Sequence, residues 1–129
     1  MSLPTDRLYT KEHEWVKIDG ATAVVGITDH AQSSLGDIVY VELPKPGASV
    51  IRSKAMGVVE SVKAVSDIFA PVSGTIAEIN GGVQDDPATV NRDPFGDGWL
   101  VKIATASGEA REALLDADAY QRVVDEERH

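Results

Sequence analysis

Apolar and polar positions alternate along most of the chain in short runs bounded by turn residues, which predicts many short strands rather than a few long helices. Val16-Lys17-Ile18 runs into Asp19-Gly20, and Ala21 to Ile27 resumes the apolar pattern. Asp-Gly between two β-rich runs predicts a hairpin with a type I′ turn, in which both central residues take positive φ. The period then changes. Thr28 to Gly36 predicts a helix of barely two turns, capped by Thr28 or Asp29 and closed by Gly36 in a left-handed conformation. Asp37 to Leu43 is a strand stopped by Pro44-Lys45-Pro46-Gly47. Short strands follow at Val50-Ile51 and from Ala55 to Glu60. Ile68 to Ile79 holds two more around a Pro71-to-Gly74 corner, ended by Asn80-Gly81-Gly82. Val83 to Asn91 is less regular, with Pro87 where a short helix can begin. Trp99 to Ile103 is a last strand. Beyond Glu109, the residues Ala113, Leu114, Leu115, Ala117, Ala119, Tyr120, Val123 and Val124 recur at spacings of three and four. This predicts two short helices broken near Asp116 to Asp118.

These elements predict a mainly β sandwich or barrel-like fold with added helices, in one domain spanning residues 1–129. About 1–7 and 125–129 are expected to fray. Composition narrows the function. Twenty-one acidic against 12 basic residues give a formal charge of −9, which repels a phosphate backbone, so nucleic acid is not an expected partner. There is no cysteine, which excludes disulfides and thiolate metal sites. No signal-peptide or membrane-spanning run is expected, leaving a cytoplasmic protein or a mitochondrial matrix protein stripped of its presequence.

Gly57 to Ile68 is the stretch around which the rest is organised. Apolar residues flank Ser61, Lys63, Ser66 and Asp67, so Lys63 is expected at the tip of a hairpin, exposed while its backbone is held by the strands beneath it. A catalytic Schiff-base lysine needs burial or neighbouring cations to lower its pKa. Here Glu60 and Asp67 are the neighbours in sequence. Such an amine is suited to being modified by another enzyme rather than to acting as a nucleophile, and no acid–base pair, nucleophile elbow or phosphate loop suggests catalysis elsewhere.

Glu60-Ser61-Val62-Lys63-Ala64, with Ser66-Asp67-Ile68 and Pro71-Val72-Ser73-Gly74, resembles the lipoylation segment of the glycine cleavage system H proteins. The similarity extends through His13-Glu14-Trp15-Val16, Gly26 to Gln32, Leu35 to Val39, Val41 to Pro44, Asn91 to Pro94 and Gly98-Trp99-Leu100. Several segments matching in order are far more specific than any one of them. Phe95 stands where an aromatic, often tyrosine, is usual in the family, and Gly81 to Val90 matches only loosely. The resemblance implies a lipoyl-type barrel sandwich of two small antiparallel sheets with short added helices, including C-terminal helices, carrying lipoic acid in amide linkage on Lys63. It implies a carrier, not an enzyme. The arm takes an aminomethyl group from a pyridoxal-phosphate glycine decarboxylase (P protein) and presents it to a tetrahydrofolate-dependent aminomethyltransferase (T protein). Dihydrolipoamide dehydrogenase (L protein) then reoxidises it. Lipoylating enzymes are the further partners, and Glu60, Ser61, Val62 and Ala64 are the residues expected to mark Lys63 for them.

A labile cargo on a flexible arm calls for a cleft that excludes water and a carboxylate to pair with the amine. Glu14 and Asp67 are the candidates, with ordinary solvated carboxylates as the alternative. His30 is a further cleft candidate, although beside Asp29 on a short helix it reads equally as a capping or packing residue. Trp15 and Trp99 either line that cleft or belong to the core. His13, His30 and His129 show no metal-ligand spacing, so no metal is expected. Two alternatives share the fold: a biotin carrier, which would typically flank its lysine with methionines where this chain has Val62 and Ala64, and a protein that relays lipoate to other enzymes.

Overall fold

The computed structural model describes residues 3–105 and 114–127. Nine strands and four helices are assigned among them: β1 Leu8–Tyr9, β2 Glu14–Asp19, β3 Thr22–Ile27, α1 Asp29–Leu35, β4 Ile38–Glu42, β5 Ser49–Val50, β6 Ala55–Ser61, β7 Val65–Phe69, β8 Gly74–Ile79, α2 Gly81–Asp85, α3 Ala88–Arg92, β9 Val101–Ala104 and α4 Ala117–Glu127. Every strand pair is antiparallel. The two sheets are unequal: one of six strands in the order β1-β2-β3-β9-β8-β5, and one of three in the order β4-β6-β7.

Strand alternation explains how they pack. Val16, Val25, Ile76 and Ile103 from the larger sheet join Val41, Val59 and Ile68 from the smaller in one buried cluster. Successive residues on a strand face opposite sides, so Trp15, next to Val16, turns to the far side of the larger sheet. There it forms a second cluster with Tyr9, Tyr120 and Val124, beneath α4. Glu14 shares the inner face with Val16, and that places a carboxylate between the sheets.

The sequence predictions hold for most strands and differ in several places. Asp19 pairs with Thr22, so the β2–β3 turn is centred on Gly20–Ala21 rather than on Asp19–Gly20. Of these two only Gly20 has positive φ, at 62°, which is the type II′ pattern and not type I′. Asn80-Gly81-Gly82 does more than stop a strand: the Asn80 side chain accepts a hydrogen bond from the Gly82 N–H and caps α2. A strong cap outweighs two glycines over so short a helix. Residues 106–113, which hold most of the first predicted C-terminal helix, lie outside the described residues. Leu115 is not helical, because it exchanges backbone hydrogen bonds with Tyr9 at 2.7 and 2.8 Å as a β-bridge.

Two described segments near the ends are anchored by specific contacts. The Arg7 guanidinium donates to the Phe95 carbonyl at 2.8 Å and stacks 4.6 Å from the Trp15 ring centre. The helix α4 continues to Glu127, with Asp116 accepting the Ala119 N–H at its start. Burial of Tyr120 and Val124 is what holds that last helix in place.

Candidate functional site

Lys63 occupies the middle of the three-residue loop, Val62-Lys63-Ala64, that joins β6 to β7. Ser61 builds the turn. Its N–H donates to the Ala64 carbonyl at 2.8 Å, and its Oγ accepts the N–H groups of Ala64 at 3.0 Å and Lys63 at 3.3 Å. On the other side the Val62 N–H donates to the Asp37 carbonyl at 3.1 Å. Asp37 is itself held by a distant residue: Asn91 donates to the Gly36 carbonyl and accepts the Ile38 N–H, each at 2.9 Å. The loop is therefore tied at both flanks while its side chains stay in water, with Val62 71% and the following Val65 65% exposed.

The Lys63 stem runs past Gly36. A Cβ added there would lie 3.5 Å from Lys63 Cε, and φ of 83° with ψ of −155° is a conformation essentially reserved for glycine. Gly36 closes α1 as the sequence predicts, though with ψ outside the left-handed helical range. Lys63 has no ion pair among the described residues.

A groove of about 200 Å³ lies between α1 and β7, lined by Leu35, Ser34, Ala31, His30 and Ser66, and by His13, Glu12 and Glu127. Glu12 also borders a second cleft of about 180 Å³, whose lining includes Thr10, Lys11, Glu14, Arg52, Ser53 and Phe69. Glu14 is the buried acid of that cleft, 2% exposed. One oxygen accepts the Thr10 hydroxyl at 2.7 Å and the other the Phe69 N–H at 3.1 Å. Among the described residues it has no cationic partner. Burial pushes its carboxyl up to about 7, against the two hydrogen bonds, which pull it down. A carboxylate held in this way gains from any cation that reaches it.

Asp67 is placed elsewhere. Cross-strand partners share a face, and Asp67 opposes Val58, which opposes Glu42. These residues form the outer side of the small sheet, together with the row Tyr40, Glu60 and Val65. The structure thus separates Asp67 from Glu14, and Asp67 lines neither cleft. Its neighbour Ser66, paired with the buried Val59, faces inward and borders the groove. Trp15 and Trp99 line neither cleft. Trp15 is core, its ring N–H donating to the Pro94 carbonyl at 2.9 Å, and Trp99 lies under the Lys102 ammonium.

His30 does reach the groove, and it does not cap α1, because the Thr28 hydroxyl accepts the Ala31 N–H there. Its ring lies 4.6 Å from that of His13. His13 Nδ1 is 2.7 Å from the Tyr120 hydroxyl, which is 2.7 Å from Thr28 Oγ1. Burial lowers the His13 pKa against the opposing pull of Glu127, and burial raises the Tyr120 hydroxyl to about 12. Thr10, Glu12, Ser66, Tyr120 and Glu127 were not legible as site residues, since their roles depend on contacts between distant segments. The sequence signals near them are the His13-Glu14-Trp15 run, the Ser66-Asp67-Ile68 run and the apolar spacing that includes Tyr120.

Known proteins resemble this chain over nearly its full length. The family model described as Glycine cleavage H-protein matches residues 7–127. A glycine cleavage system H protein of Herpetosiphon aurantiacus is 55% identical over 126 residues, covering 98% of this chain and 96% of its own. One of Chlorobium phaeovibrioides is likewise 55% identical, covering 96% and 98%. The crystal structure of a glycine cleavage system H protein from Mycobacterium marinum superposes with a TM-score of 0.86 at 45% identity, covering 95% of this chain and 99% of that one. With agreement over nearly its full length in sequence and in fold, the chain belongs to the glycine cleavage H-protein family.

Proposed function

We propose that the protein is the lipoyl carrier of a glycine cleavage system, with Lys63 as the attachment residue and no catalytic activity of its own. The observation that carries this reading is the exposed Lys63 on a hairpin loop tied by Ser61 and Asp37, its stem beside Gly36 and next to the groove of Leu35 and Ser66, which shares Glu12 with the neighbouring cleft of the buried Glu14. When bound, the lipoyl group supplies a dithiolane that accepts an aminomethyl group and is left as a dithiol for reoxidation. The chain's own residues do the rest.

Lys63 and a lipoyl chain together reach roughly 14 Å by summed bond lengths, and β7 advances about 3.4 Å per residue. Measured from Lys63 along β7, that reach covers about four residues, past Ser66 to the level of Asp67 and two residues short of Phe69, whose N–H is held by Glu14. Leu35 and Ala31 form the apolar wall that excludes water there. Glu14 pairs with a cationic amine entering its cleft, and the low polarity that raises its pKa strengthens that pairing. Glu60, Ser61, Val62 and Ala64 present Lys63 to lipoylating enzymes. The partners are the pyridoxal-phosphate decarboxylase, the tetrahydrofolate-dependent aminomethyltransferase and dihydrolipoamide dehydrogenase. The relatives are bacterial, and the proposal places the protein in the cytoplasm.

The test is the intact mass of protein from its native host, with fragmentation around Lys63. A lipoyl increment on Lys63, and loss of glycine-dependent turnover with purified partners in a folded Lys63→Arg variant, are expected. A biotinyl increment, a bare lysine under lipoate-replete growth, or normal turnover by the variant would overturn the proposal.

A further inference from the structure

Three side chains that are remote in sequence converge at the inner end of the groove. His13 lies in the turn between β1 and β2, His30 in the first turn of α1, and Glu127 at the end of α4. Nε2 of His13 is 3.0 Å from each Glu127 oxygen, Nε2 of His30 is 3.6 Å from one of them, and the potential ligand atoms all lie within 4.8 Å of one another. We propose that His13 Nε2, His30 Nε2 and the Glu127 carboxylate form a binding site for one divalent transition-metal cation of the zinc type.

Ligand chemistry supports the assignment. Two imidazoles and a carboxylate form a borderline donor set that suits zinc better than calcium or magnesium, which prefer oxygen alone. Bonds of about 2.0–2.2 Å in a tetrahedron require donors about 3.3–3.6 Å apart. The observed separations bracket that value, so sub-ångström to ångström movements of the side-chain ends, of which Glu127 is the exposed one, bring the set into register. The three ligands also belong to separate elements, leaving the fourth position open toward the groove that all three line.

The surroundings favour the same reading. A ligating histidine ordinarily bonds its second ring nitrogen to a fixed partner, which sets its tautomer and orientation. His13 Nδ1 has one in the Tyr120 hydroxyl, itself anchored by Thr28. With a cation on Nε2, Nδ1–H donates to Tyr120 and the Tyr120 O–H donates to Thr28 Oγ1, so each hydrogen in the relay is placed. His13 also has φ of 70°, a sparsely populated conformation for a residue with a side chain, and it directs the ring into the cluster. An ion pair with Glu127 alone requires neither the second imidazole nor this relay. A bound cation would pin the end of α4 to α1 and to the β1–β2 turn, whether or not Lys63 is modified.

Isothermal titration of Zn²⁺ into tag-free, chelator-treated full-length protein tests the site, with thermal unfolding as a second readout. Saturable one-to-one binding and a higher Tm with Zn²⁺ are expected for the wild type. Binding should weaken tenfold or more in His30→Gln and in Glu127→Gln, both of which alter partly exposed side chains and keep the fold. The chain's third histidine, His129, is the control, and His129→Gln should bind like the wild type. Absence of saturable binding, wild-type affinity in His30→Gln or Glu127→Gln, or loss of binding in His129→Gln would each overturn the assignment.

Discussion

Glu14 allows the electrostatics of the cleft to be tested without any cofactor. Its carboxyl has an ordinary value of 4.5 and is pushed up to about 7 in the folded protein, chiefly by burial. Between those two values the folded state holds a proton that the unfolded state has released. Stability therefore falls as pH rises from about 4.5 through about 7, and levels off once Glu14 is ionised in both states. At about 1.4 kcal/mol per pH unit, the gap amounts to on the order of 3 kcal/mol at pH 8. Glu14→Gln removes the ionisation and keeps the shape. The amide oxygen accepts the Phe69 N–H, and the amide nitrogen donates to Thr10 Oγ1, replacing the two bonds Glu14 makes. Urea unfolding of unmodified wild type and variant from pH 4.5 to 8.5 is the assay. The variant should gain stability relative to the wild type by roughly 2–3 kcal/mol across that range, most of it between pH 5 and 7. His13, whose folded pKa is lowered, contributes with the opposite sign, gaining stability with pH up to its unfolded value, but it is present in both proteins and cancels in the difference. Parallel profiles for the two proteins would refute the claim that Glu14 is a costly buried acid awaiting a cation.

Two further outcomes address the arm and its mount. Glu14→Ala should release the aminomethyl group from loaded carrier faster than the wild type, followed as ammonia or formaldehyde over time; an unchanged rate would leave Glu14 a bystander. Ser61→Ala removes the acceptor for the Lys63 and Ala64 N–H groups and should cost about 1 kcal/mol at this exposed turn. Amide exchange at the loop should quicken and lipoylation by a purified ligase should slow, and unaltered exchange would show that the strands alone hold the tip.

The element that proved most legible was the one with the least tertiary content. Ser61 and Lys63 lie in a local hairpin whose two strands are adjacent in sequence, so apolar runs around a polar tip were enough to place the lysine. The same is true of α1, where Thr28 and Gly36 mark both ends within nine residues. Asp67 shows the limit of such reasoning. It is four residues from Lys63, but a strand turns successive side chains to opposite faces, and only the pairing with Val58 and Glu42 reveals that it looks away from Glu14.

The amino-acid sequence by itself determined the strand-rich architecture, the exposed lysine and, through motifs matching in order, the family. Tertiary structure decided which carboxylate is buried, because desolvation depends on what packs over Glu14 and not on its neighbours in the chain. It also joined Asn91 to the loop beneath Lys63 and brought His13 and His30 to Glu127 from the opposite end of the chain. Periodicity encodes which face a residue takes within one element. The meeting of faces from distant elements depends on how the sheets and helices close on one core, and it is there that the cleft acquires its chemistry.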